Sequence, residues 1–177
     1  MMGRAYGVPT VALRFFNVYG TRQALSNPYT GVLAIFASQL LNDNQPLVFE
    51  DGLQTRDFVH VSDVVQACLL ALEVESASGH VFNVGSGKPH TVRDISRALA
   101  ESTRRPQIRP RITGKYRVGD IRHCFADISH AAQVLGYRPN VTLQRGLEEL
   151  AAWLLGQKVI ERVDEAYAEL SERGLVV

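Results

Sequence analysis

The sequence predicts an α/β protein. Apolar runs alternate with helical periods, each run ends in a polar or glycine-containing turn, and several turns lead into helix caps. The first run, TVALRFF at residues 10–16, is nearly continuous in apolar side chains and opens into a polar loop. Such a run suits a strand buried on both faces of a parallel sheet, with functional groups at its carboxyl end. In the next segment Val32, Ile35, Phe36 and Leu40 keep a helical period that stops at Asn42 and Asp43. A brief strand at PLVFE ends in the Asp51-Gly52 turn, and DFVHV resumes an extended pattern before Ser62, which is placed to cap a helix running to Glu75. The strand HVFNVGS follows. Thr91 and Asp94 then have the spacing of a capping box, with Asp in place of the usual Glu. A short helix at SHAAQVLGY is closed by Gly136 and Pro139. The last helical region starts near Leu143, carries Leu147, Leu150, Leu154, Val163, Tyr167 and Leu170 at helical spacing, and breaks at Gly156. Only four runs read as strands, few for a doubly wound sheet, so the sheet looks incomplete.

Bulk properties narrow the function. A chain of 177 residues, 46% hydrophobic, can bury one sizeable core. Its longest apolar window, VVQACLLAL, falls short of the ~20 residues of a membrane span, and no signal-peptide core is present, which reads as a soluble, cytoplasmic protein. Cys68 and Cys124 lie far apart without a Cys-x-x-Cys pair, and the histidines lack metal-site spacing, so small buried thiols and no metal are expected. A net charge of +1 disfavours a general polyanion binder. The cations are nonetheless arginines almost throughout, with Lys88, Lys115 and Lys158 the only lysines, and a planar, always charged fork suits phosphate. Between Glu101 and Phe125 they gather as Arg104, Arg105, Arg109, Arg111, Lys115, Arg117 and Arg122, either a surface for an anionic ligand or a solvated loop face.

Gly85-Ser86-Gly87, between an apolar run and a helix start, resembles a nucleotide loop and fails each test of one. The third glycine of a dinucleotide loop would stand at position 90, which is His90, and RRPQIRPRI further on lacks the ribose-binding carboxylate. For a mononucleotide phosphate loop, Phe82 stands where the first glycine belongs, and Pro89 follows Lys88. A strand-to-helix turn is the reading left; it allows ligand contact and disfavours a cofactor cradle.

Taken in order, ALRFFNVYG, LVFEDGLQTRDFVHVSDV, FNVGSG, RVGDIRHCFADISHAAQVLGYRP and LQRGLEELAAWL resemble the C-terminal part of the extended short-chain dehydrogenases that act as NAD-dependent nucleotide-sugar epimerases and dehydratases. The resemblance implies an incomplete Rossmann-like sheet, its last strands only, joined to a smaller C-terminal substrate-binding α/β lobe. Residues 1–28 would end the NAD-binding portion and 29–155 form the lobe, with the strand at 80–86 returning to the Rossmann sheet; 156–177 would be a helical tail. In that family a glycine-rich loop binds NAD and a Tyr-x-x-x-Lys pair performs acid–base chemistry on the sugar. None of Tyr6, Tyr19, Tyr29, Tyr116, Tyr137 and Tyr167 has a lysine four residues on, so no catalytic residue is assigned and the chain alone is expected to be inactive.

Carried over by position, the resemblance places Phe16 by the nicotinamide and Asn17 against the sugar nucleotide, with Val32 and Leu33 offering backbone groups. Phe49 lies by the base, Arg56 and Arg117 grip the diphosphate, Asp120 accepts from the ribose hydroxyls, and Cys124 falls where residue size screens the sugar. Each has a plainer alternative: a turn residue for Asn17, core packing for Phe49 and Cys124, surface ion pairs for the arginines, a turn cap or arginine partner for Asp120. Val118 stands where the family has proline, leaving that loop less rigid. The implied partners are a UDP- or dTDP-sugar and either a second copy or the missing N-terminal half. A non-catalytic module binding anions or nucleic acid is the alternative, with nucleic acid disfavoured by the near-neutral charge.

Overall fold

The computed structural model describes residues 2–24, 31–157, 171–174 and 176. A short helix α1 (Met2–Tyr6) leads into β1 (Ala12–Phe15) and β2 (Asn17–Tyr19), followed by α2 (Val32–Leu41), β3 (Leu47–Val48), β4 (Thr55–His60) and α3 (Val61–Glu73). Then come β5 (Val81–Val84), β6 (Pro89–Thr91), α4 (Val92–Ser102), β7 (Arg111–Ile112), β8 (His123–Cys124), α5 (Ser129–Val134) and α6 (Leu143–Leu154). The α/β class is as expected.

The first apolar run breaks at Phe16, and the break divides the sheets. β1 pairs in parallel with β5, Ala12 opposite Val81 and Phe15 opposite Val84, whereas β2 pairs in parallel with β4, Asn17 opposite Phe58. β4 also holds β6 antiparallel and β8 in parallel, Arg56 opposite Cys124; β3 pairs with β7. Two cores result. One gathers Tyr19 of β2 with Leu33, Phe36, Leu40, Ile95, Leu99, Leu147, Leu150 and Leu154 of α2, α4 and α6; the other gathers Val59, Val64, Phe82, Val84, Ala131 and Tyr137 around β5, α3 and α5.

Several elements differ from the sequence reading. The first run is not buried on both faces: Ala12, Arg14 and Phe15 are exposed, because among the described residues β1 has a strand on one side only. β6, β7 and β8 escaped notice, being two or three residues long and polar, too short for a period to register. Helix α3 begins a residue early, and its cap is His60, whose Nδ1 accepts from the Ser62 N–H at 3.4 Å, rather than Ser62 itself. Cys68 and Cys124 are half-buried, not buried. The Thr91 cap is as expected: its hydroxyl oxygen accepts from the Asp94 N–H at 3.1 Å and its O–H donates to the Asp94 carboxylate at 2.6 Å. α6 ends at Leu154, just ahead of Gly156, while Val163, Tyr167 and Leu170 lie outside the described residues. Among the described residues no helix is long and apolar enough to cross a membrane.

Candidate functional site

The glycine loop is shaped from below by a carboxylate. Asp57 of β4 is fully buried and accepts from the Ser86 N–H (2.7 Å), the Ser86 hydroxyl (2.6 Å), the Gly87 N–H (2.9 Å) and the Ala126 N–H (3.2 Å). Only glycine fits at 85, because a Cβ there would come within 2.5 Å of both the Asp57 carboxylate and the Ala126 methyl. The Tyr137 hydroxyl donates to the Gly85 carbonyl at 3.0 Å and seals the turn. The amides a phosphate would need are therefore already bonded to an anion, which excludes this loop as a phosphate cradle in this conformation.

A charged cluster forms where β4, the β3–β4 turn and the loop before β8 converge. Arg56 leaves the second position of β4 and donates to one Asp120 carboxylate oxygen at 2.8 Å; Arg117 donates to the other, also at 2.8 Å. Arg117 also lies over the Phe49 ring, its guanidinium carbon 5.5 Å from the ring centroid, within cation–π range. Four residues named from the sequence, Phe49, Arg56, Arg117 and Asp120, are thus brought into one cluster. Desolvation raises the Asp120 pKa, but the hydrogen bond and charge of Arg117, the charge of Arg56 and the Ile121 N–H outweigh it and hold the carboxyl below its ordinary value.

The other named residues surround this cluster less directly. Cys124 is beside Arg56 in the sheet, and the neighbouring pair shares a hydrogen bond between the Thr55 hydroxyl and His123 Nδ1 (2.9 Å). Asn17, half-buried, is in register with Phe58, two residues along β4 from Arg56. The Phe16 N–H is committed to the Val84 carbonyl at 3.1 Å, which narrows what it can offer a nicotinamide. Val32 and Leu33 open α2 after the Gly31 cap, which provides no side-chain bond, and the Leu33 side chain itself belongs to the core.

Glu50, Asp51 and Asp57 do not stand out as site residues in the sequence, and Arg122 is named there only as one of the cations of the basic stretch. Arg122 donates to the carboxylates of Glu50 and Asp51, the latter at 2.7 Å. Its hydrogen bond lowers the Asp51 pKa, as the Leu53 N–H also does, and the two carboxylates raise that of Arg122. The available signal was the acidic Glu50-Asp51 pair in a chain whose basic excess lies far downstream. Asp57 carried no signal at all. Three cations of the basic stretch are held in ion pairs, since Arg105 donates to Asp43 at 2.8 Å alongside the Arg117 and Arg122 pairs. Desolvation pushes the buried phenols of Tyr19 and Tyr137 far above the ordinary tyrosine value, with the Asp63 charge adding to both.

Comparison with known proteins gives concordant results. A model of the NAD dependent epimerase/dehydratase family matches residues 1–85. The chain is 38% identical to dTDP-L-rhamnose 4-epimerase of Burkholderia thailandensis, over 82% of this chain and 40% of that protein. It is 30% identical to UDP-N-acetyl-alpha-D-glucosaminuronate decarboxylase of Bacillus cytotoxicus, over 83% of this chain and 46% of that one. Its fold superposes with a TM-score of 0.81 on UDP-N-acetylglucosamine 4-epimerase of Methanobrevibacter ruminantium, solved with UDP-N-acetylmuramic acid, at 32% identity over 89% of this chain and 49% of that chain. The chain spans about half the length of the relatives it matches.

Proposed function

From a chain that belongs to the NAD-dependent epimerase/dehydratase family, we infer the substrate-binding portion of an enzyme that transfers hydride at a sugar carbon of a UDP- or dTDP-sugar. One observation carries this reading: Arg56 and Arg117 converge on a single carboxylate while Arg117 also covers the Phe49 ring. A slot beside an aromatic face, next to two guanidinium groups, suits a base, ribose and diphosphate in that order. The diphosphate takes the guanidinium N–H groups that Asp120 holds in the free chain, and Asp120 turns to the ribose hydroxyls. Asn17 and the Val32 and Leu33 amides meet the sugar end, and Cys124 borders it.

NAD would supply the hydride acceptor and donor. The glycine loop does not fit the NAD pyrophosphate, because the Ser86 and Gly87 amides are engaged by Asp57. This chain is therefore assigned binding and orientation of the sugar nucleotide, and no redox or proton-transfer step. The division at residues 28 and 155 stays part of the proposal, and the pairing of β5 with β1 supports the return of that strand to the Rossmann sheet. The open side of β1, exposed Phe15, and the α3 residues Val65, Leu69 and Leu72 offer an apolar seat for a Rossmann half.

Calorimetry with UDP and dTDP tests the reading. Arg56→Gln and Arg117→Gln should each weaken binding by roughly 10-fold or more, the loss of a charge-assisted bond. No binding by the chain, and none after an upstream Rossmann half is restored, refutes it.

A further inference from the structure

Arg122 joins two segments that come together only in the fold. Its carbonyl accepts from the Thr55 N–H and from the Arg56 guanidinium, both at 3.0 Å, which fixes the start of β4 and the Arg56 side of the charged cluster. Its own guanidinium spans the neighbouring carboxylates of Glu50 and Asp51. The turn that it grips carries Phe49 on one side, and the loop it belongs to carries Arg117 and Asp120. Main-chain bonds draw the same turn toward the same loop, from Glu50 N–H to the Lys115 carbonyl (2.7 Å) and from Gly114 N–H to the Glu50 carbonyl (3.1 Å).

We infer that Arg122 is a positioning residue, which sets the placement of the Phe49 ring against the Arg117 guanidinium by clamping the acidic turn to the loop. The turn needs such a clamp, since Glu50 has a positive φ of 52°, a conformation that costs a non-glycine residue and reverts when the surroundings release it. The clamp contributes position more than stability: the Arg122 side chain is 45% exposed and that of Asp51 49%, and ion pairs so open to water add little to folding. Arginine suits the clamp because one planar fork reaches two carboxylates, whereas a lysine ammonium is a point charge that would hold them only in part.

The inference rests on the nucleotide-sugar reading of the charged cluster, and the experiment separates the two. In the full chain, Arg122→Met and Arg122→Lys are compared with wild type for melting temperature, for hydrogen exchange at the Glu50 and Gly114 amides, and for UDP affinity. The inference predicts faster exchange at both amides in Arg122→Met, a UDP dissociation constant raised roughly ten-fold, a nearly unchanged melting temperature, and partial recovery in Arg122→Lys. Unchanged exchange overturns it. So does a melting temperature that falls in step with affinity and is not recovered by lysine, which marks a merely structural residue. If wild type shows no UDP affinity, the nucleotide reading fails, and the exchange rates alone decide for or against the clamp.

Discussion

Replacing Asp57 tests whether the glycine loop is an internally bonded turn. In Asp57→Ala three backbone N–H groups and one hydroxyl lose their acceptor at a fully buried site. A single buried donor left unsatisfied costs about 1–3 kcal/mol. The four do not add in full, because the loop relaxes and water enters the space, so the expected loss is about 3–5 kcal/mol, at the upper end of single substitutions. Asp57→Asn keeps the shape but offers one acceptor oxygen and turns an NH2 group toward amide donors, for a loss of about 2–4 kcal/mol. Urea unfolding followed by circular dichroism gives the stability, and hydrogen exchange at Ser86 and Gly87 gives the local effect. An Asp57→Asn variant within about 0.5 kcal/mol of wild type, with slow exchange retained at both amides, would refute the reasoning.

Three further outcomes are expected. Gly146→Ala lies in α6, where helix propensity alone favours alanine by about 1 kcal/mol, yet its Cβ would strike the buried Tyr19 hydroxyl, so the variant should lose roughly 1–3 kcal/mol; a gain on urea unfolding contradicts the packing. Tyr137→Phe removes the bond to the Gly85 carbonyl and should cost about 1–1.5 kcal/mol by the same measurement. The Asp120 pKa is lower folded than unfolded, so its stabilising contribution is complete above the ordinary carboxylate value near 3.9 and is lost as pH falls through the folded value. Asp127, lowered by the Ser129 hydroxyl and N–H that it accepts from, follows the same sign. Melting curves taken from neutral pH downward should fall less steeply for Asp120→Asn than for wild type.

What the sequence revealed follows the range of the interactions. Thr91 and Asp94 are three residues apart, so a cap built by local bonding could be read directly. The glycine loop could be rejected as a cradle on missing glycines, but its cause lies 29 residues upstream in Asp57, and one aspartate among the eight of the chain has no local signature. Arg56 and Asp120 are 64 residues apart and were linked only through family resemblance. The resemblance also named Phe49 and Arg117, yet it passed over Arg122, whose role depends on two carboxylates more than 70 positions away. The first run misled for a different reason: its apolar character records a strand built for neighbours on both sides, and here only β5 lies beside β1 among the described residues.

The most direct test of the central claim is to map where UDP binds this chain by nuclear magnetic resonance. The account predicts that shifts concentrate at Phe49, Arg56, Arg117 and Asp120, while the Ser86 and Gly87 amides, bonded to Asp57, stay in place. Shifts centred on the glycine loop, with the arginine cluster unmoved, would contradict it.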